Sequence, residues 1–406
     1  MAVFSKHKIG VNSLLNFIPE TLLTNLSLTT KVDYYSKILH GKKMFYLLLY
    51  GILENEKLSQ RTLEDTFNDS IFKLLFNLDE NEKIRRSSIS ERLSVIKPDY
   101  FKQIYECIYD QFSDLYTLNE IKKHNLIRVD SSMVSEGVGR LMEGLDNNSC
   151  KKAVKYSVAF DGLLPCQSEV FTASKYSSED IALPEAVLQH VKKDSNHQNI
   201  YVLDRGFQSC KTMKKFSKNT IQFICRAKEK RKHLELSSLL TEDQDLDIGE
   251  SVIIKDSKVN LYTSSTTLNK KGKPYNKSEL LKEEFRLIVI RNKAGAQNEY
   301  HFLTNNFELS TKEIAEAYRK RWDIEVFFRF IKQELNMSHL VSLNKNGIQV
   351  MLYMTLIVSM LILMYKKANQ IGYKTAKRRF SMEVRDLAIA LIVVHCGGDP
   401  ELFFKT

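Results

Sequence analysis

The chain has 406 residues, enough for two or three domains with a substantial core. Hydrophobic residues make up 43% and charged residues 27%, a globular soluble composition that excludes a disordered chain. Lys and Arg number 60 against 49 Asp and Glu, a net charge of +11, so a polyanion is the expected partner class, nucleic acid before acidic membrane.

The opening "MAVFSKHKIGVNSLL" has no apolar core followed by a small-residue cleavage site, so no signal peptide is expected. Residues 1–120 read as a helical domain of short amphipathic segments, among them "KMFYLLLYGILEN" and "DYFKQIYECIYDQF". Two of them, "LSQRTLEDTF" and "RRSSISERLSVI", open on Ser or Thr and suit a helix-turn-helix-like, DNA-end-binding region. A helical packing domain with no partner is the competing reading.

Residues 121–226 change texture. "NLIRVDSS" is a short apolar run with Asp130 at its end, and "KYSVAFD" and "CQSEVFTA" flank the turn-like "GLLP" as a hairpin. "EDIALPEAVLQHVKK" reads as a helix, "NIYVLDRGF" as a buried strand ending in Asp204, "CKTMKKFSK" as a helix and "TIQFICRAK" as a strand. Residues 227–308 are strand-like and turn-rich, residues 309–369 are helical, and residues 370–406 form a helical tail and candidate dimer contact. The run "RAKEKRK" (226–232) reads by default as a solvated charged face.

Ile348–Tyr365 is apolar and long enough to cross a bilayer. Gln349, Thr355 and Ser359 interrupt it and no second span accompanies it, so a buried core helix is expected and no membrane. The six cysteines (107, 150, 166, 210, 225 and 396) form no CxxC pair and read as free thiols in a reducing cytoplasm.

The order strand, strand, strand, helix, strand, helix, strand and late helix is an α/β arrangement around a mixed sheet. It is the order of a ribonuclease-H-like core, here with an all-β insertion before the last helices and an α-helical domain in front.

"AYRKRWDIEVFFRFIKQEL" (Ala317–Leu335) reads as a helix continuing from a capping box at Ser310–Glu313. At about 100° per residue, Tyr318, Arg321, Glu325 and Lys332 share an arc of roughly 60° beside an apolar arc. Asp130 and Asp204 end strands, where open α/β sheets place ligand groups. Together with Glu325 they make a hard-oxygen set suited to Mg²⁺ or Mn²⁺. Two such ions, about 4 Å apart, would activate a water or a 3′-hydroxyl for attack on phosphorus. Arg321 and Lys332 are candidate phosphate contacts. Read singly, the aspartates are turn residues, Arg321 is an intrahelical partner of Glu325, and Tyr318 is core.

Tyr318-x2-Arg321-x3-Glu325-x6-Lys332 resembles the YREK signature of bacterial insertion-sequence transposases of the DDE type, the IS-four family. "RVDSS" (128–132) and "LDRGF" (203–207) are similar to that family's blocks around its first and second aspartates, and the likeness runs over roughly residues 10–370. The resemblance implies Asp130, Asp204 and Glu325 as a metal-binding catalytic triad, with Tyr318, Arg321 and Lys332 gripping phosphates at the element end. It implies Arg205 as a further phosphate contact, and Tyr300 where relatives can stack a flipped base. It further implies a cytoplasmic, nucleoid-associated protein that binds its inverted-repeat ends and target DNA as a homodimer. The expected reaction is cut-and-paste transposition, with a hairpin intermediate as one route. A ribonuclease-H-like nuclease without strand transfer and a retired DNA-binding descendant are the alternatives. The YREK row argues against the first and the three intact acids against the second.

Overall fold

The computed structural model describes residues 10–116, 120–121, 124–135, 141, 144–146, 152–194, 198–242, 245–268, 273–294 and 298–399. Cys150 lies outside them; the other five cysteines are unpaired thiols.

Helices come first: α1 (Val11–Leu15), α2 (Glu20–Thr30), α3 (Gly41–Glu54), α4 (Gln60–Asn68), α5 (Ser70–Leu75), α6 (Arg86–Val95) and α7 (Pro98–Ser113). Their starts are chemically marked. Ser59 and Thr62 form a reciprocal capping box on α4, Asp69 accepts two amides at the start of α5, and Pro98 opens α7, where its missing N–H costs nothing.

Then follow β1 (Asn125–Ser135), β2 (Leu145–Asp146), β3 (Lys152–Phe160), β4 (Pro165–Phe171), α8 (Glu179–Lys193), β5 (Asn199–Leu203), α9 (Cys210–Lys218) and β6 (Gln222–Arg226). The strands β7 (His233–Ser238), β8 (Ser251–Leu268), β9 (Pro274–Asn292) and β10 (Glu299–Thr304) complete the sheet. Four helices close the described chain: α10 (Thr311–Arg319), α11 (Trp322–Glu334), α12 (Lys345–Asn369) and α13 (Tyr373–His395).

Among the described residues the strands form one mixed sheet in the order β2-β3-β1-β5-β6-β10-β9-β8-β7, with β4 also paired to β3. β1, β5 and β6 are parallel to one another, and β3 runs antiparallel to β1. β10 is antiparallel to β6 and β9, so the β-rich stretch extends this same sheet and has no sheet of its own.

The apolar code explains why helices cover both faces. In β5, Tyr201 and Leu203 join a core with Leu183 of α8 and Phe216 of α9, whereas Ile200 and Val202 join a core with Ile314 and Ala317 of α10. The largest core unites the N-terminal helices with α11, α12 and α13. Each large apolar side chain buried there contributes about 1.5–3 kcal/mol.

α12 contains the apolar run. It is the one described helix long and apolar enough to cross a membrane, and 89% of that stretch is buried against the rest of the protein. It packs against α7, α3, α6 and α13.

Two sequence expectations need correction. β1 does not end at Asp130 but continues to Ser135, because β3 pairs with it along its length to Ser135↔Ala153. Asp130 instead follows Val129, the last residue of β1 in register with β5. The helix read over 317–335 is jointed, with α10 ending at Arg319 and α11 starting at Trp322. At the joint Arg321, Asp323 and Ile324 donate to carbonyls three residues back, a short 3₁₀-like link.

Candidate active site

Val129 of β1 is the register partner of Leu203 of β5. The next residues, Asp130 and Asp204, therefore leave the parallel pair side by side. Asp204 opens a turn closed by the Phe207 amide donating to its carbonyl at 3.1 Å. Gly206 in that turn packs against α8, where a Cβ would come within 2.7 Å of Glu179 Cβ.

Arg321, at the joint between α10 and α11, brings the third element in. Its Nη1 lies 3.6 Å from Asp130 Oδ2 and 3.9 Å from Asp204 Oδ1. Its Nη2 donates to Glu325 Oε1 one turn further along α11. One guanidinium, 13% exposed, thus serves three carboxylates from three elements.

Burial pushes the Asp130 carboxyl up to about 7, with Asp204 and Glu179 adding to the rise. The Ser131 amide, 2.7 Å from Asp130 Oδ1, and Arg321 oppose that rise without cancelling it. Burial lifts the Tyr318 hydroxyl to about 12. Its ring packs on Phe302 at 4.9 Å and lies 5.8 Å from the Arg321 guanidinium carbon.

Tyr300 of β10 lines a cleft of about 600 Å³ with Tyr318, Arg319, Arg321 and Trp322. Arg226 sits 4.8 Å over the Tyr300 ring. Trp322, the one tryptophan of the chain, is 54% exposed and lines this cleft. Lys332 is half-buried, two turns beyond Glu325, and pairs with no described residue; burial lowers its ammonium. Arg205 is exposed in the turn after β5, and its side chain has no hydrogen-bond or ion-pair partner among the described residues.

The sequence-predicted residues thus fall into two groups. Asp130, Asp204, Tyr318, Arg321 and Glu325 are brought together, with Tyr300 in the adjoining cleft. Lys332, two turns along α11 from Glu325, and Arg205, in the turn after β5, make no side-chain hydrogen bond or ion pair with the described residues. Of the basic run, Arg231 is structural, donating to Gln208 and Cys210, while Lys228, Lys230 and Lys232 are exposed.

The all-oxygen donors are of the kind that suit a hard divalent cation, and in this structure the Arg321 guanidinium supplies the positive charge among them. With Arg321 wedged between them, no three acidic, His or Cys side chains among the described residues stand at metal-holding distance.

Sequence-only reasoning missed Arg128. It is fully buried two residues before Asp130, and its bonds reach Lys320 at the α10–α11 joint. The available signal was a cation inside the otherwise apolar "NLIRVD" strand.

Comparison with known proteins falls on these same elements. The family described as "Transposase DDE domain" matches residues 121–361, from just before β1 into α12. The chain belongs to that family and is a DDE transposase of the IS-four type. A protein assigned as the transposase for insertion sequence element IS4SA in Synechocystis is 25% identical over 84% of this chain and 85% of its own length. One assigned as the transposase for IS5377 in Geobacillus stearothermophilus is 26% identical over 41% of this chain and 40% of its own. A solved structure, the piggyBac transposase synaptic complex with hairpin DNA, has a TM-score of 0.47 and 8% identity. The match covers 93% of this chain and 80% of that one.

Proposed function

We propose that the chain excises its own insertion sequence by metal-dependent phosphodiester cleavage at the element ends, and then joins the freed 3′-hydroxyls to target DNA. The observation that carries this reading is the convergence of Asp130, Asp204 and Glu325 on one guanidinium. Such a set is costly without positive charge between its members. The strand order β4-β3-β1-β5-β6, with only β3 antiparallel to β1, supports a ribonuclease-H-like core, extended by β7–β10 and preceded by α1–α7 as an end-binding region.

Asp130, Asp204 and Glu325 would hold Mg²⁺ or Mn²⁺, two ions in the fullest form. A bound ion of this kind supplies Lewis acidity and a nucleophilic water or hydroxyl at neutral pH. The protein's own groups do the positioning. Arg321, released from the carboxylates, offers a planar fork to a phosphate, and Tyr318 orients that fork from below. Lys332 and Arg205 add point charges along the backbone path. Tyr300, with Arg226 on one ring face, leaves the other to a base turned out of the duplex, as a hairpin route requires. Two ends held together call for two copies of the chain, with α13 and the tail as the candidate contact.

The test is cleavage of a labelled duplex carrying the element's terminal repeat, in Mg²⁺ or Mn²⁺. Wild type is compared with Asp130→Ala, Asp204→Ala and Glu325→Ala, and binding is followed in the same samples. Cutting at the element end by wild type alone, with binding kept by all three variants, is the expected result. Binding without cutting by wild type would instead favour a retired DNA-binding protein.

A further inference from the structure

We infer that Arg128 is a positioning residue of the catalytic centre, setting the joint from which Arg321 and Glu325 reach Asp130 and Asp204. This inference rests on the reading of those four residues given above.

Arg128 is 0% exposed, yet each of its five N–H donors has a partner. Nε donates to the Lys320 carbonyl at 3.2 Å. Nη1 donates to the carbonyls of Leu126 at 2.8 Å and Asp161 at 3.0 Å. Nη2 donates to Glu120 Oε2 at 2.6 Å and Asp323 Oδ2 at 3.1 Å. The neighbourhood is shaped for it: Gly162, with a φ of +105°, has no room for a Cβ, which would fall 2.7 Å from Arg128 Nη1.

The partners show what the residue holds. Successive side chains alternate across a strand, so Arg128 and Asp130 share the face of β1 that looks toward α10 and α11. Ile127 and Val129 point into the opposite core. Lys320 and Asp323 bracket Arg321 at the joint. The Lys320 carbonyl serves Arg128 and the Asp323 amide, and the Ile324 amide turns to the Arg321 carbonyl three residues back. A side chain inserted into the helical ladder is a recognised cause of such a bend. Without it, α10 would run straight into α11 and carry Arg321 and Glu325 away from the aspartates. Lysine cannot substitute, because three donors on one nitrogen cannot reach partners spread around a planar fork.

The experiment uses the full chain and a labelled duplex bearing the element's terminal repeat, with Arg128→Lys, Asp323→Asn and the double variant. End binding, single-turnover cleavage and the Mn²⁺ concentration for half-maximal cleavage are measured for each. Arg128→Lys is expected to bind the end as wild type does, to cut about a hundredfold more slowly, and to need several times more Mn²⁺. Asp323 is 47% exposed, so its replacement spares the core. Asp323→Asn should shift rate and Mn²⁺ demand in the same direction, about tenfold at most, and add nothing to Arg128→Lys. If Arg128→Lys does not fold, Asp323→Asn decides alone. Unchanged rate and Mn²⁺ dependence in the folded variants overturns the inference, and so does a loss of binding that matches the loss of rate. If Asp130→Ala still cut, the reading of the centre itself would fail; normal cutting by Arg128→Lys beside an inactive Asp130→Ala fails only this inference.

Discussion

Arg321 Nη1 stands 3.6 Å from Asp130 Oδ2, and the same guanidinium reaches Asp204 and Glu325. An arginine so placed neutralises a carboxylate cluster, and in the proposed metal-dependent reaction it would leave before an ion was held. Replacing it by Ala should destabilise the ion-free protein by about 2 kcal/mol, since three partly buried carboxylates lose their shared partner. The same variant should be stabilised more by added Mn²⁺ than wild type is, while end cleavage falls. Thermal unfolding with and without Mn²⁺ checks both halves; equal metal stabilisation in the two proteins would remove the guanidinium from this role.

Asp130 poses the opposite trade. Burial outweighs the help from Arg321 and the Ser131 amide, so its charge is held at a cost in the ion-free protein. Asp130→Asn keeps the shape and drops that cost. We expect it to be as stable as wild type or about 1 kcal/mol more stable near neutral pH, yet inactive in cleavage. Urea unfolding beside the cleavage assay tests this, and a clear loss of stability would contradict it.

Much of the framework around the candidate site is legible in the sequence. The helices at Glu179–Lys193 and Cys210–Lys218 have the bounds their apolar spacing gives, whereas β5 stops at Leu203, so Asp204 directly follows the strand and does not end it. Asp130 follows the last β1–β5 pair but does not end its strand, and where that ladder stops depends on a partner about seventy residues away, which the local sequence does not report. The joint at Lys320 was invisible because its cause, Arg128, is distant in sequence and periodicity reports only local geometry. The run Ile348–Tyr365 suits a bilayer and a protein core equally, and only the helices packed around it decide between them.

His190 makes an acid-sensitive contact away from the site. It lies buried in α8 with Nδ1 2.9 Å from the Tyr201 hydroxyl, and burial lowers its pKa to about 4 from 6.5. Asp194 opposes that drop and Lys193 adds to it. A folded-state pKa below the unfolded one means that the unfolded chain takes up the proton first as pH falls. The stability from neutral His190 is therefore complete above about pH 6.5 and is lost as pH falls toward about 4. Near pH 5 the loss is about 2 kcal/mol. His190→Gln should lower stability at neutral pH but flatten this acid slope, and urea midpoints at the two pH values measure it.

Lys332→Ala tests the proposed phosphate contact cleanly, because Lys332 pairs with no described residue and so leaves no orphaned partner when removed. Burial lowers its ammonium, a cost that a phosphate beside it would offset. Lys332→Ala should change unfolding free energy by less than about 0.5 kcal/mol. End binding should weaken, and the slope of log affinity against log salt should fall by about one, the signature of one lost phosphate contact. Titrations of the terminal-repeat duplex at three salt concentrations give that slope. An unchanged slope with weaker binding would mean that Lys332 acts by shaping α11, and the phosphate contact would have to be sought at Arg205.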